Sequence, residues 1–149
     1  MSEQKVSRLG PWVERPFPPL LPEIVPFWEG LRRHEFRLVK CRRCGACYYP
    51  YTVCVRHADI PDFDEMEWAP TSGRGTVFAH LTVHKVVDPA FQPDLPYVLA
   101  LIELDEGPLF ATRIVDCDPQ DVRIGRRAAV KYHDVPGQDR TLPFFVLQD

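Results

Sequence analysis

No run among the 149 residues approaches the roughly 18 consecutive apolar residues that a membrane-spanning helix needs. The opening, MSEQKVSRLGPWVERPFPP, holds no continuous apolar stretch of signal-peptide type, so a cytoplasmic protein with reduced thiols is expected. Glycine-rich phosphate loops of the P-loop or dinucleotide-binding kind are missing, as is the Gly-x-Ser-x-Gly elbow of a serine hydrolase. Ser72-Gly73-Arg74-Gly75 is too short for such a loop and precedes a strand, which makes it a turn. No Ser/His/Asp or paired-carboxylate arrangement emerges from the spacing, and no internal repeat recurs at a useful period. A net charge of −3 lacks the basic excess of a general nucleic-acid binder.

What is present is an ordinary globular balance, 45% hydrophobic and 26% charged, enough for one compact domain or two very small ones sharing an interface. The charge is uneven. Through Ala58 there are ten Lys and Arg against five Asp and Glu, and beyond it eight against sixteen. A basic first third on an acidic remainder is a footprint for an anionic ligand. Proline is abundant at 16 residues, many of them between Pro11 and Pro26, which argues against regular structure there.

Met1 to Leu20 therefore reads as an extended arm stiffened by prolines, with Trp12 and Phe17 as apolar anchors that pack either on the protein's own barrel or on a partner. Pro22 to Arg33 carries Ile24, Phe27, Trp28 and Leu31 at the spacing of one helical stripe, with Pro26 pushing the helix start toward Val25. His34 to Lys40 reads as a strand and Ala58 to Glu67 as an acidic solvated loop. From Thr71 the texture becomes β. The run TVFAHLTVHKVV, a proline-broken loop over 88–96, and the segments Tyr97–Leu104 and Leu109–Val115 around the turn Asp105-Glu106-Gly107-Pro108 come first. A helical turn capped by Asp118 follows, then strands at Ala128–His133 and Pro143–Leu147. Five short strands with a helical turn before the fourth fit a small closed barrel of the OB type. The expected architecture is mainly β: arm and docking helix over 1–38, a zinc ribbon over 39–70, and an OB-fold barrel over 71–149.

The cysteines carry the clearest chemistry. Cys41-x-x-Cys44 and Cys54-x-x-His57, nine residues apart, form two knuckles whose two-residue spacers let each pair turn to one point. Gly45 directly after Cys44 suits the positive φ of a tight knuckle. Thiolate and imidazole donors favour zinc over magnesium or calcium, and four protein ligands make the site structural, since a catalytic zinc keeps a position for water. Cys41, Cys44, Cys54 and His57 are the expected ligands, with Cys47 competing with His57 for the fourth place.

Other chemistry-bearing residues are weaker. Cys117 between Asp116 and Asp118 is expected to be an inert thiol. His80 and His84, four apart in an expected strand, read as groove or surface residues. Arg32, Arg33, Arg42 and Arg43, within a cluster of six cations, are candidates to meet the phosphates of coenzyme A or a nucleic acid.

The succession of an FWEGLR helix, a CRRCG knuckle, a VCVRH knuckle, SGRGTV, YVLALIELDEGP and DVRIG resembles the domain-of-unknown-function family 35, over about Pro22 to Leu147. The resemblance implies a rubredoxin-like zinc ribbon joined to an OB fold, working beside thiolase-like and acyl-CoA enzymes. Such partners include sterol side-chain aldolases, a hydroxymethylglutaryl-CoA synthase–thiolase assembly and acetyltransferases of aromatic polyketide synthesis. It implies that the partner supplies the catalytic residues while the ribbon-barrel subunit scaffolds and helps form a coenzyme A channel. Cys41, Cys44 and Cys54 match the family's zinc ligands, and His57 stands where a cysteine is usual. The expected function is thus a non-catalytic subunit of a thiolase-superfamily acyl-CoA enzyme in steroid or fatty-acyl breakdown. A nucleic-acid-binding ribbon/OB module, stacking bases on Phe78, Phe91, Tyr97 and Tyr132, is the alternative, and a stand-alone CoA enzyme the third class.

Overall fold

Proline content governs how the chain enters the fold. A computed structural model of the protein describes residues 9, 10, 12, 15–50, 52–57 and 63–149. Within the arm, Trp12 and Arg15 are buried, and Trp12 packs edge-on against Phe91 at 5.6 Å and beside Phe144 at 5.6 Å. The described part of the arm therefore lies on the protein's own barrel, one of the two outcomes its composition allowed.

A 3-10 turn at Pro22–Ile24 leads into helix α1, Val25–Arg32, with a proline in the first positions of each, where the missing N–H costs nothing. Phe27 and Leu31 of the stripe are buried, each burial worth about 1.5–3 kcal/mol, while Ile24 and Trp28 are half-covered. Gly30 has a packing reason for its place in the helix. A Cβ there would stand 2.6 Å from Cδ of Arg37, whose Nη1 donates to the Pro26 carbonyl at 3.2 Å.

The ribbon is a three-stranded antiparallel sheet in the order β2-β1-β3, from β1 (Arg37–Cys41), β2 (Cys47–Tyr48) and β3 (Met66–Pro70). Strand β3 corrects the sequence reading. Glu67 belongs to it, opposite Lys40 of β1, instead of to a solvated acidic loop. Acidic flanks hide a short strand whose Met66 and Trp68 face inward with Val39, Cys41 and Cys54. The earlier part of that expected loop, 58–62, lies outside the described residues.

The barrel closes in the order β4-β5-β6-β8-β7 from β4 (Arg74–Val83), β5 (Tyr97–Leu104), β6 (Leu109–Ile114), β7 (Arg127–Asp134) and β8 (Thr141–Leu147). All pairings are antiparallel except β6 with β8, which meet in parallel at Ile114 and Phe145, and β7 returns to β4 at Arg74–Thr76. This is the five-stranded OB arrangement expected from strand count and the helical turn before β7. Gly75 is required by close approach, because any Cβ would collide with the Glu103 backbone on β5. One loop is more ordered than its prolines suggest, and the expected helical turn before β7 is present. Pro89–Asp94 forms a 3-10 helix capped by Asp88, whose Oδ1 accepts from the Ala90 amide at 2.9 Å, and Asp118 caps Pro119–Asp121 in the same way.

Helix, ribbon and barrel share one core. Phe36 sits against Phe27 at 5.8 Å, Phe110 at 5.0 Å and Phe145 at 6.0 Å, so a single aromatic cluster joins the ribbon's approach to the barrel interior. No helix among the described residues is long and apolar enough to cross a membrane.

Candidate metal centre and apolar groove

Cys41 ends β1 and is fully buried there. The chain then turns back sharply: the Gly45 amide donates to the Cys41 carbonyl at 2.8 Å, the Cys41 amide to the Ala46 carbonyl at 2.9 Å, and Gly45 takes φ +78°. This turn brings Cys44 back beside Cys41. Cys54 and His57 come from the second knuckle, the 3-10 turn Val55–His57, closed by the His57 amide on the Cys54 carbonyl at 3.3 Å. One ligand atom from each of Cys41, Cys44, Cys54 and His57 lies within 4.8 Å of the other three, and the Cys44 and Cys54 sulfurs are 3.6 Å apart. Tetrahedral sulfurs at about 2.3 Å from a zinc ion stand about 3.8 Å apart, so the donor set fits such an ion. His57 Nε2 supports the fit, being buried without a hydrogen-bond partner among the described residues.

Cys47 lies elsewhere. It sits on β2 opposite Lys40, packs against the main core, and directs its thiol toward the Gly45 carbonyl at 3.8 Å; burial pushes that thiol above its ordinary pKa. The next residue, Tyr48, turns its hydroxyl to Cys54 Sγ at 3.4 Å, and Tyr49 packs against Phe27 at 5.3 Å and Phe110 at 4.9 Å. Successive residues of an extended segment face opposite sides, so one serves the cysteine cluster and the next the core.

The second feature is a groove of about 680 Å³, within the range of small-molecule sites. Trp12 of the arm, Trp28 of α1 and Tyr49 line it opposite Leu81, Leu99 and Leu101 on the outer face of β4 and β5. The sequence carried a signal for it. Strand β5 buries Val98, Ala100, Ile102 and Leu104 inside the barrel yet is also apolar at Leu99 and Leu101, and a strand apolar on both faces wants cover on both. Arg113 lines the same groove from β6 and joins Arg15 on Asp94, with Arg113 Nη1 donating at 2.8 Å to the same carboxylate oxygen that Arg15 Nη1 reaches at 2.7 Å. Burial would lift the Asp94 carboxyl, but hydrogen bonds from Arg15, Arg113 and the Gly10 amide outweigh it and hold the group below the ordinary carboxylate value.

The remaining candidates are dispersed. Arg32 ion-pairs with Asp139 at the β7–β8 turn, while Arg42 pairs with Glu67 at 3.1 Å; Arg33 and Arg43 are exposed, their side chains making no hydrogen bond or ion pair to the described residues. His80 is exposed on β4 and lines the groove, but β4 ends at Val83, so His84 falls beyond the strand that was expected to hold both. Cys117 has its pKa pushed up to about 11, first by burial and then by Asp121, Asp118 and Asp116. Burial and Asp121 are the contributions its immediate sequence neighbours could not reveal. Of the four aromatics considered for base stacking, Phe91 is taken by Trp12, Tyr97 lies under the Arg113 guanidinium and Tyr132 is stacked by His34, which leaves Phe78 exposed.

Residues 68–133 match the family described as "ChsH2, C-terminal OB-fold domain". A DUF35 domain-containing scaffold protein of Methanocaldococcus jannaschii is 36% identical over 114 residues, covering 75% of this chain and 78% of that protein. The chain belongs to the DUF35 family. The 3-oxo-4,17-pregnadiene-20-carboxyl-CoA hydratase alpha subunit of Mycobacterium tuberculosis is 30% identical over 110 residues, 74% of this chain; the match spans 33% of that longer relative. Among solved structures, a chain of the Ltp2-ChsH2(DUF35) aldolase superposes with a TM-score of 0.75 at 25% identity, covering 88% of this chain and 98% of that one. Ribbon followed by barrel is thus the DUF35 arrangement, as the motif order implied.

Proposed function

We propose that this protein is a non-catalytic scaffold subunit of a cytoplasmic, thiolase-superfamily acyl-CoA enzyme, an aldolase, thiolase or acyltransferase of steroid or fatty-acyl breakdown. The observation that carries the reading is the groove: an apolar recess of about 680 Å³ between arm, helix and barrel face, with no set of acid, base and nucleophile among the described residues that line it. It suits a subunit that offers surface to an acyl-CoA and to a partner enzyme while the partner performs the chemistry. The names of relatives support the same class, since one is a subunit of a steroid acyl-CoA hydratase and another a component of an aldolase assembly.

In this reading Cys41, Cys44, Cys54 and His57 hold zinc, which ties the two knuckles together and is structural. Arg32, Arg33, Arg42 and Arg43 supply cations for the phosphates of coenzyme A at an interface shared with the partner. Arm and helix (1–38), ribbon (39–70) and barrel (71–149) form the working division, the arm and helix offering the docking surface. The nucleic-acid alternative is disfavoured by the occupied aromatics and by the acidic barrel segment.

The test is co-expression with a thiolase-like enzyme encoded beside it. Co-purification in fixed stoichiometry, with acyl-CoA turnover that falls when the subunits are separated, is the expected result. A monodisperse chain beside a fully active, solitary enzyme refutes the reading.

A further inference from the structure

The hydroxyl of Tyr48 has two neighbours, and with Cys54 bound to a metal ion they fix where its proton goes. The Val55 amide points at the phenol oxygen at 3.3 Å and can only donate. Cys54 Sγ stands 3.4 Å from the same oxygen. A sulfur bound to a metal ion is a thiolate and can only accept. With one partner fixed as donor and the other as acceptor, the phenol proton lies on the line to Cys54. The placement is built by the fold: Tyr48 belongs to β2, in register with Val39 of β1, and packs with Val39, Cys41, Cys54 and Met66 in the small core beneath the knuckles. Among the described residues it is the side-chain hydroxyl that reaches a sulfur of the cluster.

We propose that Tyr48 is a positioning residue of the metal centre, its hydroxyl bridging the Val55 amide to the Cys54 thiolate so that the second knuckle is held in its ligating conformation. This rests on the zinc reading given above. Three thiolates and a neutral imidazole leave a zinc site with one negative charge in excess, and a charge-assisted hydrogen bond draws part of it off Cys54. The same bond ties the start of the Val55–His57 turn, which carries the histidine ligand, to strand β2. Tyr48 therefore acts on two of the four ligands without touching the ion.

The experiment compares the full-length wild-type chain with Tyr48→Phe, each loaded with zinc or cobalt(II). Expected for Tyr48→Phe is one metal per chain, transfer of zinc to a competing chelator faster by about tenfold, and a thiolate-to-cobalt charge-transfer band moved to lower energy, because an unbonded thiolate is the better electron donor. The band reads the sulfur directly, so loss of ring packing alone does not move it. Should Tyr48→Phe fail to fold, wild-type chain carrying 3-fluorotyrosine makes the phenol a stronger donor, and the band is expected at higher energy. Full metal content with unchanged band and release rate, or an unmoved band in the fluorinated chain, overturns the proposal. A wild-type chain that takes up neither metal overturns the zinc reading and this proposal together, and that failure is recognised by metal content alone.

Discussion

Asp94 reaches across 79 positions of chain to hold the Arg15 guanidinium with both carboxylate oxygens, at 2.7 and 3.0 Å, in a site closed to solvent. This pair, with Arg15 lying over the rings of Trp12 and Phe91, is what turns a proline-rich arm into a wall of the groove.

Replacing Asp94 with Ala leaves two guanidinium groups without their shared carboxylate. A loss of about 3–5 kcal/mol is expected, since breaking one side of a buried ion pair strands the other charge. Thermal unfolding gives the magnitude, and limited proteolysis shows the arm cut before the barrel. The pH dependence has a definite sign. Asp94 titrates below its unfolded value, so its stabilisation is whole above about pH 4 and is lost as pH falls through the folded value. The Asp94→Asn chain is expected to lack that acid limb.

His57 and Cys47 are separated by metal analysis. His57→Ala is expected to weaken zinc binding by more than about 100-fold, because even an outer partner of a ligand costs about 10–100-fold. Cys47→Ser should retain one zinc per chain. The opposite pattern would make Cys47 the fourth ligand.

Leu81 and Leu99 face each other across β4 and β5 and are 56% and 41% exposed, so charge is tolerated there by the isolated chain. The double change to Glu is expected to alter stability by less than about 1 kcal/mol, each surface site contributing about 0.5 or less. Co-purification of the partner enzyme is expected to disappear. Undiminished capture would place the interface elsewhere.

Cys117, with a pKa of about 11, should resist thiol reagents at pH 8. Mass spectrometry after brief alkylation of the folded chain is expected to find it unmodified, and labelled only after denaturation. Rapid labelling in the native state would contradict both its burial and its acidic surroundings.

Much of this architecture was legible from local pattern. The strand Tyr97–Leu104, the turn at Gly107 and the cap at Asp118 act within a few residues of themselves, and all appear where the pattern put them. The same is true of Cys41 and Cys44, because a two-residue knuckle is a local object. Strand β3 was not legible, since its five residues become a strand only by pairing with β1 across an acidic stretch.

The sequence by itself determined the five barrel strands, the helix after the arm, the donor types of the two knuckles and the family, through spacing and polarity that operate at short range. Tertiary structure decided that Trp12 and Arg15 pack on their own barrel, that His57 and not Cys47 joins the thiol cluster, and that Leu99 lines a recess. Each of these depends on which distant segments share a face; barrel closure and the buried Arg15–Asp94 pair set the first and last, and the pairing of β2 with β1, which turns Cys47 to the main core, sets the second. No local periodicity encodes it.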